Sequence, residues 1–222
     1  MHHRFHLGLG ILNLSANPYK PRSPINSGTA MIIFVGRSNV GKSTLIFALT
    51  GKWVRRGKRP GVTRKPVEVS WRGKRIIDMP GFGFMSGLPK AKQEKIKDEI
   101  VRFIEENADE IELAVLVVDG KAAPEIIERW EKRGEIPIDV EFFKFLEELG
   151  IPTLVAVNKT DKVGNIGWTI NFLAEKFEVP YGRIPDVFIP VSAKFGKNVD
   201  LLGKKVWEIL EGRSPQRTSK TT

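Results

Sequence analysis

At 222 residues, with 41% hydrophobic and 28% charged residues, the chain is long enough to bury one α/β core with some length left for tails. It has no cysteine, and its histidines are His2, His3 and His6 only, so disulfides, thiol catalysis, zinc–thiolate sites and histidine general bases in the body of the protein are excluded. The formal net charge is +10, and no apolar run approaches the roughly 18 residues that a membrane helix needs.

Residues 1–30 begin with a short apolar patch and continue as a Pro-, Ser- and Asn-rich segment. They read as a flexible arm, or as an over-extended start with Met31 as the true beginning; no small-residue cleavage site follows that would make them a signal peptide. From Met31 onward, short β-branched runs alternate with longer helical patterns, which predicts an α/β domain over 31–211 with a largely parallel sheet. The expected strands are 31–35, 67–71, 74–79, 113–119, 153–158 and 187–191. Only Arg72-Gly73 separates the second from the third, which is hairpin spacing, so one strand runs antiparallel to its neighbour. Helices are expected over 42–50, 89–107, 138–149, 166–178 and 199–210. The charged stretch 120–137 reads as a partly helical excursion on the surface, and 212–222 as a basic C-terminal tail.

The sharpest motif follows the first strand: Gly36, Arg37, Ser38, Asn39, Val40, Gly41, Lys42 and Ser43, with Thr44 next, opening an apolar helix. It fits GxxxxGK[ST] in the strand–loop–helix context that the motif requires. Its glycines let the backbone N–H groups wrap a phosphate, and the helix N-terminus adds partial positive charge. Lys42 is expected on the β- and γ-phosphates and Ser43 on Mg2+. Asp78-Met79-Pro80-Gly81 ends the third strand. There Asp78 would take the Mg2+ through water and the Gly81 amide would meet the γ-phosphate. Between the two motifs, Thr63, with Gly61 and Val62 before it, is either an ordinary loop residue or a further Mg2+ ligand.

Asn158-Lys159-Thr160-Asp161 closes the fifth strand. An aspartate accepts hydrogen bonds from guanine N1 and its exocyclic amine, a pair of donors that adenine lacks. A buried Asp161 left unpaired would therefore reject ATP, which argues against an ATP-using kinase. Asn158 would tie this loop to the phosphate loop, and the Lys159 stem would lie over the purine. Ser192, Ala193 and Lys194 follow the last strand and put the Ala193 amide near guanine O6. All these elements fall at strand carboxyl ends, where open α/β sheets bind ligands.

The motifs GRSNVGKS, Thr63-Arg64, DMPGFG, NKTD and SAK together resemble the translational-type P-loop GTPases of the Era/EngA/EngB group, over residues 31–211. The single domain, without the appended RNA-binding domain of Era or the second GTPase domain of EngA, is most similar to the EngB family. The resemblance implies a three-layer fold around a six-stranded, mostly parallel sheet with one antiparallel strand and helices on both faces. It implies GTP hydrolysis with Mg2+ and a role in assembling the large ribosomal subunit, by a cytoplasmic, monomeric protein free of membranes. Lys42, Thr63, Gly81 and Asn39 are then the expected catalytic positions.

Phe82 stands where a water-orienting side chain would be expected, and the group characteristically has a hydrophobic residue there. Some of its members hold a K+ partly through a phosphate-loop asparagine. Asn39 occupies that position, and the alternative is that it caps its own backbone. Two readings stay open: a GTPase that is slow without a partner, and a nucleotide-dependent ribosome- or RNA-binding module with negligible hydrolysis. The basic residues bear on the partner. Residues 52–75 hold ten of them and only Glu68 as an acid, a local net charge of +9. Lys52, Arg55, Arg56, Lys58, Arg59, Arg64 and Lys65 are the candidates for meeting RNA phosphates; a solvated face is the alternative.

Overall fold

The computed structural model describes residues 31–53, 66–83 and 89–212. Six strands form one sheet in the order β2-β3-β1-β4-β5-β6. They are β1 (Met31–Gly36), β2 (Val67–Trp71), β3 (Lys74–Asp78), β4 (Ile111–Asp119), β5 (Thr153–Asn158) and β6 (Phe188–Pro190). β2 pairs antiparallel with β3, and every other pairing is parallel, as the sequence predicts. The antiparallel step is made at Arg72 and Gly73, both with positive φ (46° and 78°), the backbone twist that a two-residue hairpin needs. The strain at Arg72 is accompanied by a guanidinium lying over the rings of Trp71 and Trp207.

The central strands read as unbroken apolar runs because both of their faces are covered. Ile33 and Val35 of β1 face one core together with α2 (Lys90–Glu106), α3 (Ala123–Glu131), α4 (Ile138–Glu148) and α5 (Ile166–Lys176). Ile32 and Phe34 face the other with α1 (Lys42–Thr50) and α7 (Val199–Gly212). The single-turn helix α6 (Ile184–Val187) leads into β6. Three layers result, and the parallel strands bring their carboxyl ends to one rim.

Two expectations need adjusting. The stretch 120–137 is no mere surface excursion: α3 exposes Glu125 and Glu128 but buries Ala123, Pro124 and Ile127 in the core, the two faces of an amphipathic helix. The basic window is also less uniformly charged than its sequence. Lys74 pairs with Glu112 of β4, and Arg75 pairs with Glu68 of β2 and with Glu110 just before β4. The expected arm 1–30, the candidates Gly61, Val62 and Thr63, the basic residues at 55, 56, 58, 59, 64 and 65, and the tail from 213 onward lie outside the described residues.

Gly36 ends β1 opposite Val117 of β4. With φ at +151°, a Cβ there would stand 2.3 Å from the Val117 carbonyl oxygen. We expect Gly36→Ala to cost at least about 1–3 kcal/mol, the usual range for backbone strain of this kind, in chemical denaturation. Unchanged stability would contradict the β1–β4 register at the mouth of the phosphate loop.

Candidate guanine-nucleotide site

The loop 37–41 turns the chain from β1 into α1. Two of its residues have left-handed backbones, Asn39 (φ 67°) and Gly41 (φ 95°). Asn tolerates this conformation better than most residues. Gly41 has no alternative, since a Cβ would stand 2.4 Å from the Asn158 Nδ2. Lys42 then starts α1, with no acidic residue in the helix's first turn to compete for an anion.

Asp78 meets this helix start. Its carboxylate has no exposed surface. Ser43 Oγ donates to Oδ2 at 2.5 Å, and the Lys42 Nζ lies 3.2 Å from Oδ1. That second contact is an ion pair without hydrogen-bond alignment, so Oδ1 is buried with no hydrogen-bond partner among the described residues. Mg2+ prefers hard oxygen donors and keeps several waters. A hydroxyl and a carboxylate side by side, with one carboxylate oxygen left over, fit it. Among the described residues no cluster of three acids or histidines forms a cage of its own.

The segment after Asp78 is stitched to the phosphate loop. Met79 N donates to Phe34 O, Phe82 N to Gly36 O, and Ser38 N to Phe82 O. A Cβ on Gly81 would lie within 3 Å of three Ser38 atoms, so only glycine lets the two backbones approach so closely. Phe82 faces away from the site: it is fully buried and stacks on Phe142 of α4 with ring centroids 4.1 Å apart. The Arg37 backbone stays in the loop while its side chain reaches Asp139 of α4 at 3.7 Å.

On the base side, Asn158 bridges three segments: its Nδ2 donates to Val40 O, and its Oδ1 accepts from Ala193 N. Lys159, itself left-handed (φ 62°), donates to Asn39 O at 2.7 Å and pairs with Asp119 Oδ2 at 2.6 Å. Asp119 was not singled out from the sequence. Its Oδ1 accepts from the Lys121 and Ala122 amides, so it is fixed before it fixes Lys159. A carboxylate as the last residue of a central strand, just before Gly120, was the available signal. Asp161 lies at the rim, in the 3-10 turn Thr160–Lys162. It is exposed, where base selection from the sequence calls for a buried carboxylate, because this short turn projects beyond the strand ends. The Ser192 hydroxyl donates to it at 2.6 Å and holds its carboxyl below the usual carboxylate range. It is thus ionised and aimed without being buried. Ser192 and Ala193 are buried beside it, while Lys194 is exposed and lies over the Phe195 ring. Thr44 follows Ser43 in the first turn of α1. Asn39 is exposed at the turn of the loop.

Burial pushes the Asp139 carboxyl up from 3.8 to about 6, against the opposing pull of Arg37. Between these values the folded protein holds a proton that the unfolded chain has lost, so stability falls as pH rises through the interval. The contribution is complete below about pH 4 and gone above about pH 6. A shift of this size is worth on the order of 3 kcal/mol. The melting-temperature advantage of the parent over Asp139→Asn should therefore shrink between pH 4 and 6.5; a pH-independent difference would contradict the raised value.

The family model described as a 50S ribosome-binding GTPase matches residues 31–159, more than half of the chain. The probable GTP-binding proteins EngB of Pyrococcus abyssi and Pyrococcus horikoshii are 70% and 69% identical over 188 residues, covering 85% of this chain and 89% and 87% of theirs. A crystal structure of a probable GTP-binding protein EngB aligns at 70% identity with a TM-score of 0.80, over 83% of this chain and 100% of that one. Era of Aquifex aeolicus, solved with GDP and AlF4−, aligns at 25% identity with a TM-score of 0.58, over 81% of this chain and 56% of Era. A phosphate loop closed by an aspartate from β3, a base-side loop tied to it by Asn158, and relatives at this identity lead to one conclusion: the chain belongs to the EngB family of GTP-binding proteins.

Proposed function

We propose that this chain hydrolyses GTP to GDP and phosphate, slowly when alone, and that its cycle acts in assembly of the large ribosomal subunit. The observation that carries the reading is the convergence of Lys42, Ser43 and Asp78 at the start of α1, with Gly81 packed on Ser38. Lys42 would leave Asp78 for the β- and γ-phosphates. Ser43 and Asp78, with Thr63, would hold Mg2+, whose charge would offset that of the phosphate oxygens. The Gly81 amide would meet the γ-phosphate. Gly36 through Thr44, with Gly61, Val62 and Thr63, would surround the phosphates. Asn158, Lys159, Asp161, Ser192, Ala193 and Lys194 would surround the guanine.

Slow intrinsic turnover follows from Phe82, which is buried against Phe142 and can orient no water. Transition-state charge must be met otherwise, and a K+ held beside the phosphates partly by the exposed Asn39 would meet it. The description of the matching family as 50S ribosome-binding supports the ribosomal partner. So does Trp53, 68% exposed, stacked on Phe47 and directly preceding the basic segment in sequence, because an open indole face suits unpaired RNA bases. No described helix is long and apolar enough to cross a membrane. We place the protein in the cytoplasm as a monomer.

Base selectivity is the first test. Asp161→Asn should weaken GTP binding and strengthen xanthosine triphosphate binding, because an amide pairs with the altered purine edge. Unchanged affinities for both would remove Asp161 from base reading.

Cation dependence is the second. GTP turnover in KCl should exceed that in NaCl at equal ionic strength, and Asn39→Ala should erase the difference. Equal parental rates in the two salts would take K+ out of the mechanism.

The ribosomal partner is tested by salt. If about four cations of the 52–65 segment meet phosphates, log affinity for large subunits should fall against log salt with a slope near −3, at about −0.7 per contact. Arg55, Arg56 and Lys58 changed together to Glu should weaken binding and flatten that slope while GTP affinity stays intact. Binding indifferent to the reversal would make this charge a solvated face.

A further inference from the structure

The Arg37–Asp139 pair poses an energetic problem. Asp139 is 1% exposed and Arg37 14%, at 3.7 Å, and among the described residues neither Asp139 oxygen nor the Arg37 Nη1 has a hydrogen-bond partner. Two charges brought out of water with that geometry do not recover their desolvation, and apolar or neutral replacements are often as stable. The pair is therefore a poor means of holding α4 against the sheet. That work is already done by Phe82 on Phe142, each ring fully buried and the two stacked within 8° of parallel. A buried polar group left unsatisfied in a loop of the functional site calls for a reason other than stability.

Its position supplies one. Asp139 and Phe142 are one helical turn apart, so they share a face of α4. Phe142 grips Phe82, and Asp139 grips Arg37. Arg37 and Phe82 form a parallel bridge with each other. The Arg37 guanidinium also passes over Gly83, where a Cβ would stand 3.3 Å from Cζ. One face of α4 thus holds the phosphate loop through a charge and the segment 81–83 through a ring, and Gly81 sits on Ser38 between the two grips. We propose that Arg37 and Asp139 are positioning residues. They fix the distance between the phosphate loop and Gly81, and so set how well the site tells a γ-phosphate from its absence. This rests on the GTPase reading above.

The test is the double variant Arg37→Gln with Asp139→Asn, which keeps approximate shape and removes both charges. Replacing both partners of a buried pair can be nearly neutral for folding, so it should melt within about 4 °C of the parent at pH 7.5. Parent and variant are compared for GDP affinity, affinity for a non-hydrolysable GTP analogue, and GTP turnover. A misplacement on the order of 1 Å costs about a hundredfold in catalysis. The expected result is at least a tenfold loss in turnover and in the analogue-to-GDP affinity ratio. A folded variant with parental turnover and parental ratio would overturn the proposal. Should the double variant fail to fold, Arg37→Lys, which keeps the charge but loses the guanidinium over Gly83, must show the same selective loss; parental behaviour there overturns it equally. A parent that binds both nucleotides without turnover would remove hydrolysis from the proposed function, and the affinity ratio alone would then decide.

Discussion

A carboxylate with no exposed surface must be answered by a cation or by hydrogen bonds, because ionised groups cannot be left bare in a protein interior. Asp78 is such a group, and its answers are Lys42 and Ser43. The last residue of β3 is thereby bound to the first turn of α1, although the two elements approach the site from different strands. The close approach of Gly81 to Ser38, the backbone bridge of Phe82, and the turn of the loop at Gly41 all lie within a few residues of that contact. The same three side chains suit a bound Mg·nucleotide, which would exchange one set of partners for another without moving the strands.

The base side is organised by a different device. Asn158 is buried and uses both ends of its amide, one on the phosphate loop and one on Ala193. Lys159 is held from below by Asp119 and touches the Asn39 carbonyl. Phosphate loop, base loop and the SAK turn are therefore parts of one hydrogen-bonded unit. Asp161 is held to it by Ser192 yet stays exposed and ionised. Rigid neighbours and one outward carboxylate suit a site that must discriminate among purines yet release them.

Much of this was legible in the sequence where the physics is local. Arg72-Gly73 between two alternating runs demands a hairpin, and glycines at 36, 41 and 81 mark places where backbone meets backbone. The apolar runs of 31–35 and 153–158 announce strands covered on both faces. Long-range compensation was not legible. Nothing near Lys74 or Arg75 shows that Glu112 and Glu110 will neutralise them. Nothing near Arg37 points to Asp139, since only packing of α4 against Phe82 brings them together. Phe82 itself could be recognised as unable to hold a water, but its stacking on Phe142 needed the fold. Stretch 120–137 misled because its acids outnumber the few apolar residues, Ile127 among them, that bury α3.

The most direct test of this account is a crystal structure with GDP, AlF4−, Mg2+ and K+ bound. In it Lys42 should leave Asp78 for the phosphates, Ser43 and Asp78 should turn their oxygens to Mg2+, and Phe82 should stay stacked on Phe142. A nucleotide bound with the Lys42–Asp78 pair intact, or with Phe82 swung out toward the γ-phosphate, would contradict it.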